Sequence, residues 1–410
     1  MKRNFSCLLA LSALILMAGC KKSFNSTVDL SQKAKAGFAP DPLWQTPGPY
    51  TRIIRYDIDD GHGSDCIFAF DLVSGKVSLN QISGANTTQI YAGTGIPTTN
   101  AGTIDVTQDH LYVSDNFNEI GGVHIIPYDY SGTGHEDHLL IYIPGDEIFY
   151  LLSYAGNGKW TQLLYATNGI GGYDIAATYD KIIAYDFSNS GYKKDLICYR
   201  PTQGIFYCLQ NNGNLSNPFT AVVKSTGGVG GYDLHGASDQ LVAEEGGAGN
   251  SCDLVAYRPG YGYVFWMNHT ANSPSWQTVY STRSGFPYFP LSHEQDRMFA
   301  FNYEAYYGED DGYGFWYSPG NGPSGSCWDY WWEGDYVDGY WQISIANWPF
   351  SYNPYAAGNT TYTGDHVLCL SAASSNNPGV PVYNALLFYT NGAVQSQLYE
   401  GYALFYNQVY

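Results

Sequence analysis

The sequence predicts an all-β chain: a β-propeller of six or seven four-stranded blades with a repeat of about 58 residues. Three observations predict it. A Tyr-x-Pro marker recurs as "IYIPG" at Tyr142, "CYRPT" at Tyr199, "AYRPG" at Tyr257 and "WYSPG" at Tyr317, at spacings of 57, 58 and 60. A second marker keeps the same beat: "IIRYD", "IIPYD", "IIAYD", "LVAEE", "MFAFN" and "VLCLS" begin at Ile53, Ile125, Ile182, Leu241, Met298 and Val367. Composition supplies the third. Aromatics reach 17%, with 39 Tyr, and such residues favour pleated, half-buried surfaces. The 47 Gly and 19 Pro then require many turns between short elements.

One unit, residues 181–225, shows how each element arises. "KIIAYDF", "DLICYR", "GIFYCLQ" and "FTAVVKS" are runs of six or seven apolar and β-branched residues. "SNSGYKK", "PTQ" and "NNGNLSNP" separate them with turn chemistry. Four antiparallel strands per repeat, set around a circle, make a propeller blade. Phe70 in "FAFDLVSG" and Tyr389 in "LFYTNG" continue the first marker at spacings of 72, so each outer gap needs an insertion of about fourteen residues. Residues 37–56 and the two insertions can supply a seventh, degenerate blade. The chain ends on the strand-like "ALFYNQVY", which suits closure by N- and C-terminal strands sharing one blade. A β-sandwich array and a β-solenoid are the alternatives.

The ends of the chain carry a different message. Lys2 and Arg3 precede the short apolar run "CLLALSALILM", the layout of a secretory signal. The closing "LMAGC" resembles a bacterial lipobox. The resemblance implies a signal peptide over 1–19, cleavage before Cys20, and a lipid on Cys20. Lys21, a non-Asp residue, resembles lipoproteins sorted to the outer membrane. Residues 20–50 then read as a lipidated cysteine and a polar, proline-bearing tether, and 51–410 as the propeller. The expected place is the cell envelope, with a periplasmic or surface orientation left open, and the ring is expected to be a monomer.

The charge balance is −19, and charged residues are only 13% of the chain. A surface of that sign repels phosphate backbones, so nucleic acid is excluded as a partner. Six cysteines follow Cys20. Cys198 and Cys208 flank "YRPTQGIFY", and a three-residue hairpin loop would set them opposite one another in a disulfide; the alternative is two buried thiols. No Cys/His spacing suggests zinc.

"YDYSGTGHEDHLLIYIPG" and "YDFSNSGYKKDLICYRP" resemble the FG-GAP/VCBS-type propeller repeats of secreted bacterial proteins and the related repeats of propeller lectins. The likeness covers roughly 51–410, without the "FG" and "GAP" words themselves. It implies a loop between strands one and two that holds calcium through positions 1, 3, 5 and 9. Asp129, Ser131, Thr133 and Asp137 match that spacing. Asp57, Asp59 and Asp65 match it in part, and Asp186, Ser188 and Ser190 again in part. The alternative is a turn in which Asp and Ser cap their own backbone.

Two further features bear on ligands. Residues 315–355 concentrate Trp328, Tyr330, Trp331, Trp332, Trp341 and Trp348, interleaved with Asp329, Glu333, Asp335 and Asp338. Exposed rings stack on the apolar faces of sugars while carboxylates accept hydroxyl protons; rings packed between blades are the alternative. "GIGGYDI" and "GVGGYDL" place Tyr173 and Tyr232 at blade-to-blade crossovers. They are either structural corners or walls of a repeated site. Arg200 and Arg258 follow Tyr199 and Tyr257 at equivalent places, where they meet a carboxylate ligand or the chain's own acids. No G-x-S-x-G, H-E-x-x-H or P-loop occurs, no acid pair is singled out, and the sialidase box is absent. The expectation is a lectin-like, glycan-binding module of the envelope rather than an enzyme. An envelope protein–protein scaffold is the alternative, and a glycan-active enzyme a further one.

Overall fold

A computed structural model describes residues 51–58, 65–83, 86–107, 112–113, 119–120, 122–243, 254–285 and 291–292, together with isolated Leu43. It further describes the backbone of strands at 297–302, 312–317, 328–329, 336–337, 340–341, 366–373, 381–390 and 393–398. The signal segment, Cys20, the tether apart from Leu43, and "ALFYNQVY" lie outside the described residues, as do Asp59, Tyr330, Trp331, Trp332 and Trp348.

The described residues contain strands and turns but no helix. β1 (Thr51–Asp57), β2 (Asp65–Asp71), β3 (Lys76–Ser83) and β4 (Asn86–Thr94) form the first sheet. Two short hairpins follow: β5 (Ile96–Pro97) with β6 (Thr103–Ile104), and β7 (Tyr112–Val113) with β8 (Glu119–Ile120). They fill the first insertion that the 72-residue spacing requires, and Thr99 donates its N–H to the Trp160 carbonyl at 2.8 Å to seat it. β9 (His124–Tyr128), β10 (His138–Ile143), β11 (Ile148–Gly156) and β12 (Lys159–Ala166) form the second sheet. β13 (Lys181–Tyr185), β14 (Asp195–Arg200), β15 (Ile205–Asn211) and β16 (Phe219–Ser225) form the third. β17 (Gln240–Ala243), β18 (Leu254–Arg258), β19 (Tyr263–His269) and β20 (Trp276–Thr282) form the fourth. Then come β21 (Arg297–Asn302), β22 (Gly312–Tyr317) and β23 (Trp328–Asp329) as one sheet, the pair β24 (Tyr336–Val337) and β25 (Tyr340–Trp341), and a last sheet of β26 (His366–Ala373), β27 (Pro381–Thr390) and β28 (Ala393–Leu398).

Each of the four complete sheets is an up-and-down antiparallel meander in chain order. The first strands lie side by side in the order β26, β1, β9, β13, β17, β21. First strands inward and later strands outward, repeated around an axis, is the propeller. The first sheet is complete within residues 51–94, and the last has three strands among the described residues; the closing strand expected at "ALFYNQVY" lies outside them. Four consecutive strands joined by short turns close locally, at little loop-closure cost.

The core is divided among the sheet junctions. One cluster joins Tyr56 and Phe68 to Ile141 and Trp160, a second joins Tyr128 and Phe149 to Leu196 and Phe219, and a third joins Tyr185 and Phe206 to Leu254 and Trp276. Second strands are therefore covered on both faces: every residue of β14 is buried, and every residue of β10 but the last. Their near-continuous apolar sequences follow from that double burial. Fourth strands face outward and alternate with exposed residues. A β-bulge recurs where strands three and four pair, at Leu79/Asn80, Leu151/Leu152, Cys208/Leu209 and Trp266/Met267. A bulge adds right-handed twist, which lets each sheet turn its outer strands away from the inner one.

The repeat markers are latches between neighbouring sheets. Tyr142 accepts the Ile182 N–H at 3.1 Å and Tyr199 accepts the Leu241 N–H at 3.2 Å, each reaching the first strand of the next sheet. Tyr56 donates to the Asp137 carbonyl at 2.7 Å, and Trp160 donates its Nε1–H to the Tyr56 oxygen at 3.0 Å. Trp276 does the same to Tyr185 at 2.9 Å. The Tyr128 hydroxyl donates to the Lys194 carbonyl, and Phe219 stands where the other junctions have tryptophan.

Cys198 and Cys208 are not bonded to one another. Arg200 pairs with Ile205, so the hairpin loop is four residues, 201–204, not three. In that register Cys198 faces Tyr207 and Cys208 faces Ile197; a three-residue loop would have set Phe206 opposite Cys198, and only a five-residue loop, 201–205, would set the two cysteines directly opposite. The two thiols thus point to opposite faces of the sheet and join different core clusters.

Candidate functional site

The calcium positions come first. Asp129 is buried, and its carboxylate is wrapped by its own turn: Oδ1 accepts the Gly132 and Thr133 N–H groups at 2.7 and 3.0 Å, and Oδ2 accepts Gly134 N–H at 2.7 Å. The Ser131 hydroxyl also turns towards Oδ1 at 3.3 Å and lies 3.2 Å from the Thr133 hydroxyl. Asp186 repeats the arrangement, accepting Gly191 and Tyr192 N–H groups and the Ser188 and Ser190 hydroxyls. In both loops the Asp carboxylate caps its own turn, the alternative that the sequence left open. Asp137 turns its carboxylate to His138, and Asp57 sits 3.0 Å from His135 Nδ1. Asp65 belongs to β2, where only its backbone is described. Among the described residues no three His, Cys, Asp or Glu side chains converge as a metal site.

The opposite ends of the first strands carry the richer chemistry. Ile170 and Tyr173 bond each other's backbone at 2.8 Å in both directions, across Gly171 and Gly172 with φ of 55° and 86°. Val229 and Tyr232 do likewise across Gly230 and Gly231. Two successive positive φ values define a type I′ turn, which glycine enters without cost. Gly169 and Gly228 precede these turns, and a Cβ on Gly228 would stand 1.8 Å from the Tyr232 carbonyl oxygen.

Each turn delivers a tyrosine and an aspartate to one arginine. Tyr173 donates to Asp180 Oδ1 at 2.6 Å, and Arg200 donates to both Asp180 oxygens at 2.6 and 2.7 Å and also to Asp174. In the next sheet Tyr232 donates to Asp239 at 2.5 Å, and Arg258 donates to Asp239 at 2.6 and 2.9 Å and to Asp233 at 2.6 Å. The guanidinium carbons lie 5.6 Å over the Tyr173 and Tyr232 rings. Burial and then the adjacent carboxylate push both tyrosine hydroxyls well above their ordinary range. Burial also presses the Asp233 carboxyl upward, but the His235 N–H and Arg258 outweigh it and hold it low.

Tyr173 and Tyr232 are each 2% exposed, so their rings offer no stacking face; they are the structural corners of the crossover. Arg200 and Arg258 are likewise engaged by the chain's own acids. What remains open to solvent is the outer carboxylate of each cluster: Asp174 is 59% and Asp233 57% exposed. Half-buried aromatics flank them. Tyr207 packs on Tyr173 with Lys224 at 5.2 Å, and Tyr263 lies between Arg258 and Arg283 at 5.3 and 5.5 Å. Tyr261 is exposed beside Tyr263. Sequence reasoning passed over Asp174, Asp180, Asp233 and Asp239. The signal was present, since Asp-Lys, Asp-Gln, Asp-Arg and Asp-His occur at 180, 239, 296 and 365, on the beat of the second marker.

The tryptophan-rich stretch cannot be joined to this face, because Trp328 and Trp341 are described only as backbone within β23 and β25 and the rest lie outside the described residues. Asp195 is the described carboxyl that burial raises furthest into the middle range, to about 6. It is fully buried and accepts the Phe187 and Asn211 N–H groups, an internal anchor of the Asp186 turn rather than an open acid.

No family model matches the chain, and no curated protein matches it. Among solved structures it is similar to a putative 6-phosphogluconolactonase from Bacteroides uniformis, with 8% identity over 85% of each chain and a TM-score of 0.38. The periplasmic gluconolactonase PpgL of Pseudomonas aeruginosa shares 12% identity over 57% of this chain and 55% of its own, at a TM-score of 0.33. Saccharomyces cerevisiae Sqt1 shares 9% over 85% and 83%, at 0.38.

Proposed function

We propose that the chain is a cell-envelope binding module, lipid-anchored through Cys20, whose propeller holds glycans at the sheet junctions. The observation that carries the reading is the pair of solvent-facing carboxylates, Asp174 and Asp233, each pinned by an arginine and repeated 59 residues apart. A sugar ring asks for acceptors and donors in fixed directions beside an apolar face. Asp174, pinned by Arg200, and Asp233, pinned by Arg258, supply charged acceptors that lose little freedom on binding. Tyr207, Tyr261 and Tyr263 supply ring surface next to them. The lipobox resemblance supplies the anchor, and the fold by itself argues for no ligand.

A glycan array probed with the folded full chain should retain a defined set of glycans. The double variant Asp174→Asn, Asp233→Asn should bind the best of them at least about tenfold more weakly, a loss near 1.4 kcal/mol. Its thermal midpoint should stay close to the parent's, because the buried Asp180 and Asp239 pairs are untouched. An array with no glycan retained sinks the glycan reading; capture of one stable envelope protein instead would move the assignment to a scaffold. The anchor has its own check. Cells expressing the chain should incorporate labelled palmitate into it, and Cys20→Ser should abolish the label.

A further inference from the structure

The Asp233 cluster of the fourth sheet has neighbours that the Asp174 cluster lacks. The turn between β18 and β19 reads "PGYGY", and its glycines take positive φ, 83° at Gly260 and 70° at Gly262. Both donate their N–H to the Leu291 carbonyl, at 2.9 and 3.1 Å, and the Gly262 carbonyl accepts the Gly285 N–H at 2.7 Å. The backbone thus ties this turn to the chain that leaves β20. Tyr261 stands between the two glycines, 61% exposed, with its ring centroid 6.3 Å from that of Tyr263. In the third sheet Gln203 and Ile205 occupy the equivalent positions, 58 residues earlier.

Arg283 is exposed immediately after β20. Its guanidinium carbon lies 5.5 Å over the Tyr263 ring, and that of Arg258 lies 5.3 Å over the same ring. The two cations differ in their partners. Arg258 donates to both Asp239 oxygens and to Asp233. Arg283 has no hydrogen bond and no ion pair among the described residues. The surface therefore has two unlike ends, linked through the Tyr263 ring and Arg258. One is the solvent-facing carboxylate of Asp233, and the other is an open guanidinium.

We propose that the Asp233 cluster takes an acidic sugar, a uronic acid residue of a glycan, with its carboxylate on Arg283, its ring against Tyr261 and its hydroxyls on Asp233. The inference rests on the glycan reading of the same site and names its substrate class. A guanidinium presents a planar fork of N–H donors that matches a carboxylate, whereas an ionised Asp233 only accepts. A sugar acid has both complements on one ring: an anion at one carbon and hydroxyl donors at the others. An arginine already lying on an aromatic ring gives up less freedom when it binds. A neutral sugar would leave Arg283 unused, and a carboxylate at the Asp233 end would meet a like charge, so the two ends also set the direction of the ring. At a net charge of −19 the chain offers an acidic glycan no long-range attraction, and recognition has to come from this local contact.

The test is titration calorimetry of the full chain in detergent with homogalacturonan and hyaluronan fragments, each beside its carboxyl-reduced counterpart. At least one acidic fragment should bind about tenfold more tightly than its reduced form. Arg283→Gln should remove that difference, so that acidic and reduced fragments bind alike, and Arg283→Lys should keep part of it, since the charge stays and the fork is lost. Lys159→Gln, an exposed lysine of the second sheet, should keep all of it. Because the readout is a ratio of two ligands on one protein, a variant that only loosens the fold lowers both affinities and leaves the ratio in place. Acidic and reduced fragments bound alike by the parent chain, or a ratio that survives Arg283→Gln, overturns the proposal. A glycan array that retains only neutral glycans overturns it too while leaving the glycan reading standing, and an array that retains none takes both down.

Discussion

Replacing Arg200 by methionine should lower the unfolding free energy by about 3–5 kcal/mol, the range for breaking a buried pair by removing one partner. Asp180 is the reason. Its side chain is fully buried, and it takes two hydrogen bonds from the guanidinium, one from Tyr173 and one from the Ala177 N–H. Methionine fills the volume but leaves a carboxylate charged without its cation, and desolvation then acts unopposed. The loss should be read by equilibrium urea unfolding. The pair variant Arg200→Met, Asp180→Asn should recover a large part of it, since the stranded charge is gone. A single variant within about 1 kcal/mol of the parent would show that the cluster is solvated and that the clamp is not what fixes the crossover. Asp174→Asn makes the internal contrast, because its carboxylate is mostly exposed and should cost little.

The tryptophan latch gives the second large effect, and the repeat supplies its own control. Trp160→Ala should cost about 3–5 kcal/mol, as fully buried aromatic truncations do. Trp160→Phe should cost far less, about 1–2 kcal/mol, chiefly the hydrogen bond to the Tyr56 oxygen. The chain already places a phenylalanine at the equivalent junction: Phe219 lies against Tyr128 with ring centroids 6.3 Å apart. There the Asn211 side chain reaches the Tyr128 oxygen at 3.5 Å instead. If Trp160→Phe proved as damaging as Trp160→Ala, packing shape at that junction, and not the shared volume and hydrogen bond, would be what the position demands.

These latches explain why a chain so rich in tyrosine shows so few tyrosine faces at the described junctions. Tyr56, Tyr128, Tyr142, Tyr173, Tyr185, Tyr199, Tyr232 and Tyr257 are all buried. A propeller built from separate sheets has no continuous ladder of backbone hydrogen bonds across its junctions. A phenol bridges that gap well, because its ring fills the apolar space and its hydroxyl reaches a backbone group on the neighbour. Aromatic richness is thus in good part a requirement of the architecture, and the solvent-facing Asp174 and Asp233 carry more functional meaning than most of the rings.

The sequence by itself determined the strands, their meander order and the repeat. Each blade is made from contiguous residues, so hydrophobic runs, turn chemistry and period are local facts that survive without any knowledge of partners. The Gly-Gly-Tyr-Asp crossovers were legible for the same reason, since consecutive glycines announce positive φ. Contacts across sheets were decided only by the tertiary structure. Cys198 and Cys208 turned on the length of one hairpin loop: an odd number of residues would put them on one face of the sheet, and the four residues 201–204 put them on opposite faces. The Asp129 and Asp57 loops matched a calcium spacing, but their donors and partners depend on how a turn folds back on itself and on what the next sheet brings, such as His135. The Trp160 latch is the clearest case. Its indole N–H reaches the Tyr56 oxygen, 104 residues away in the chain. A hydrogen bond acts only at contact distance, and only setting two sheets face to face brings that pair together.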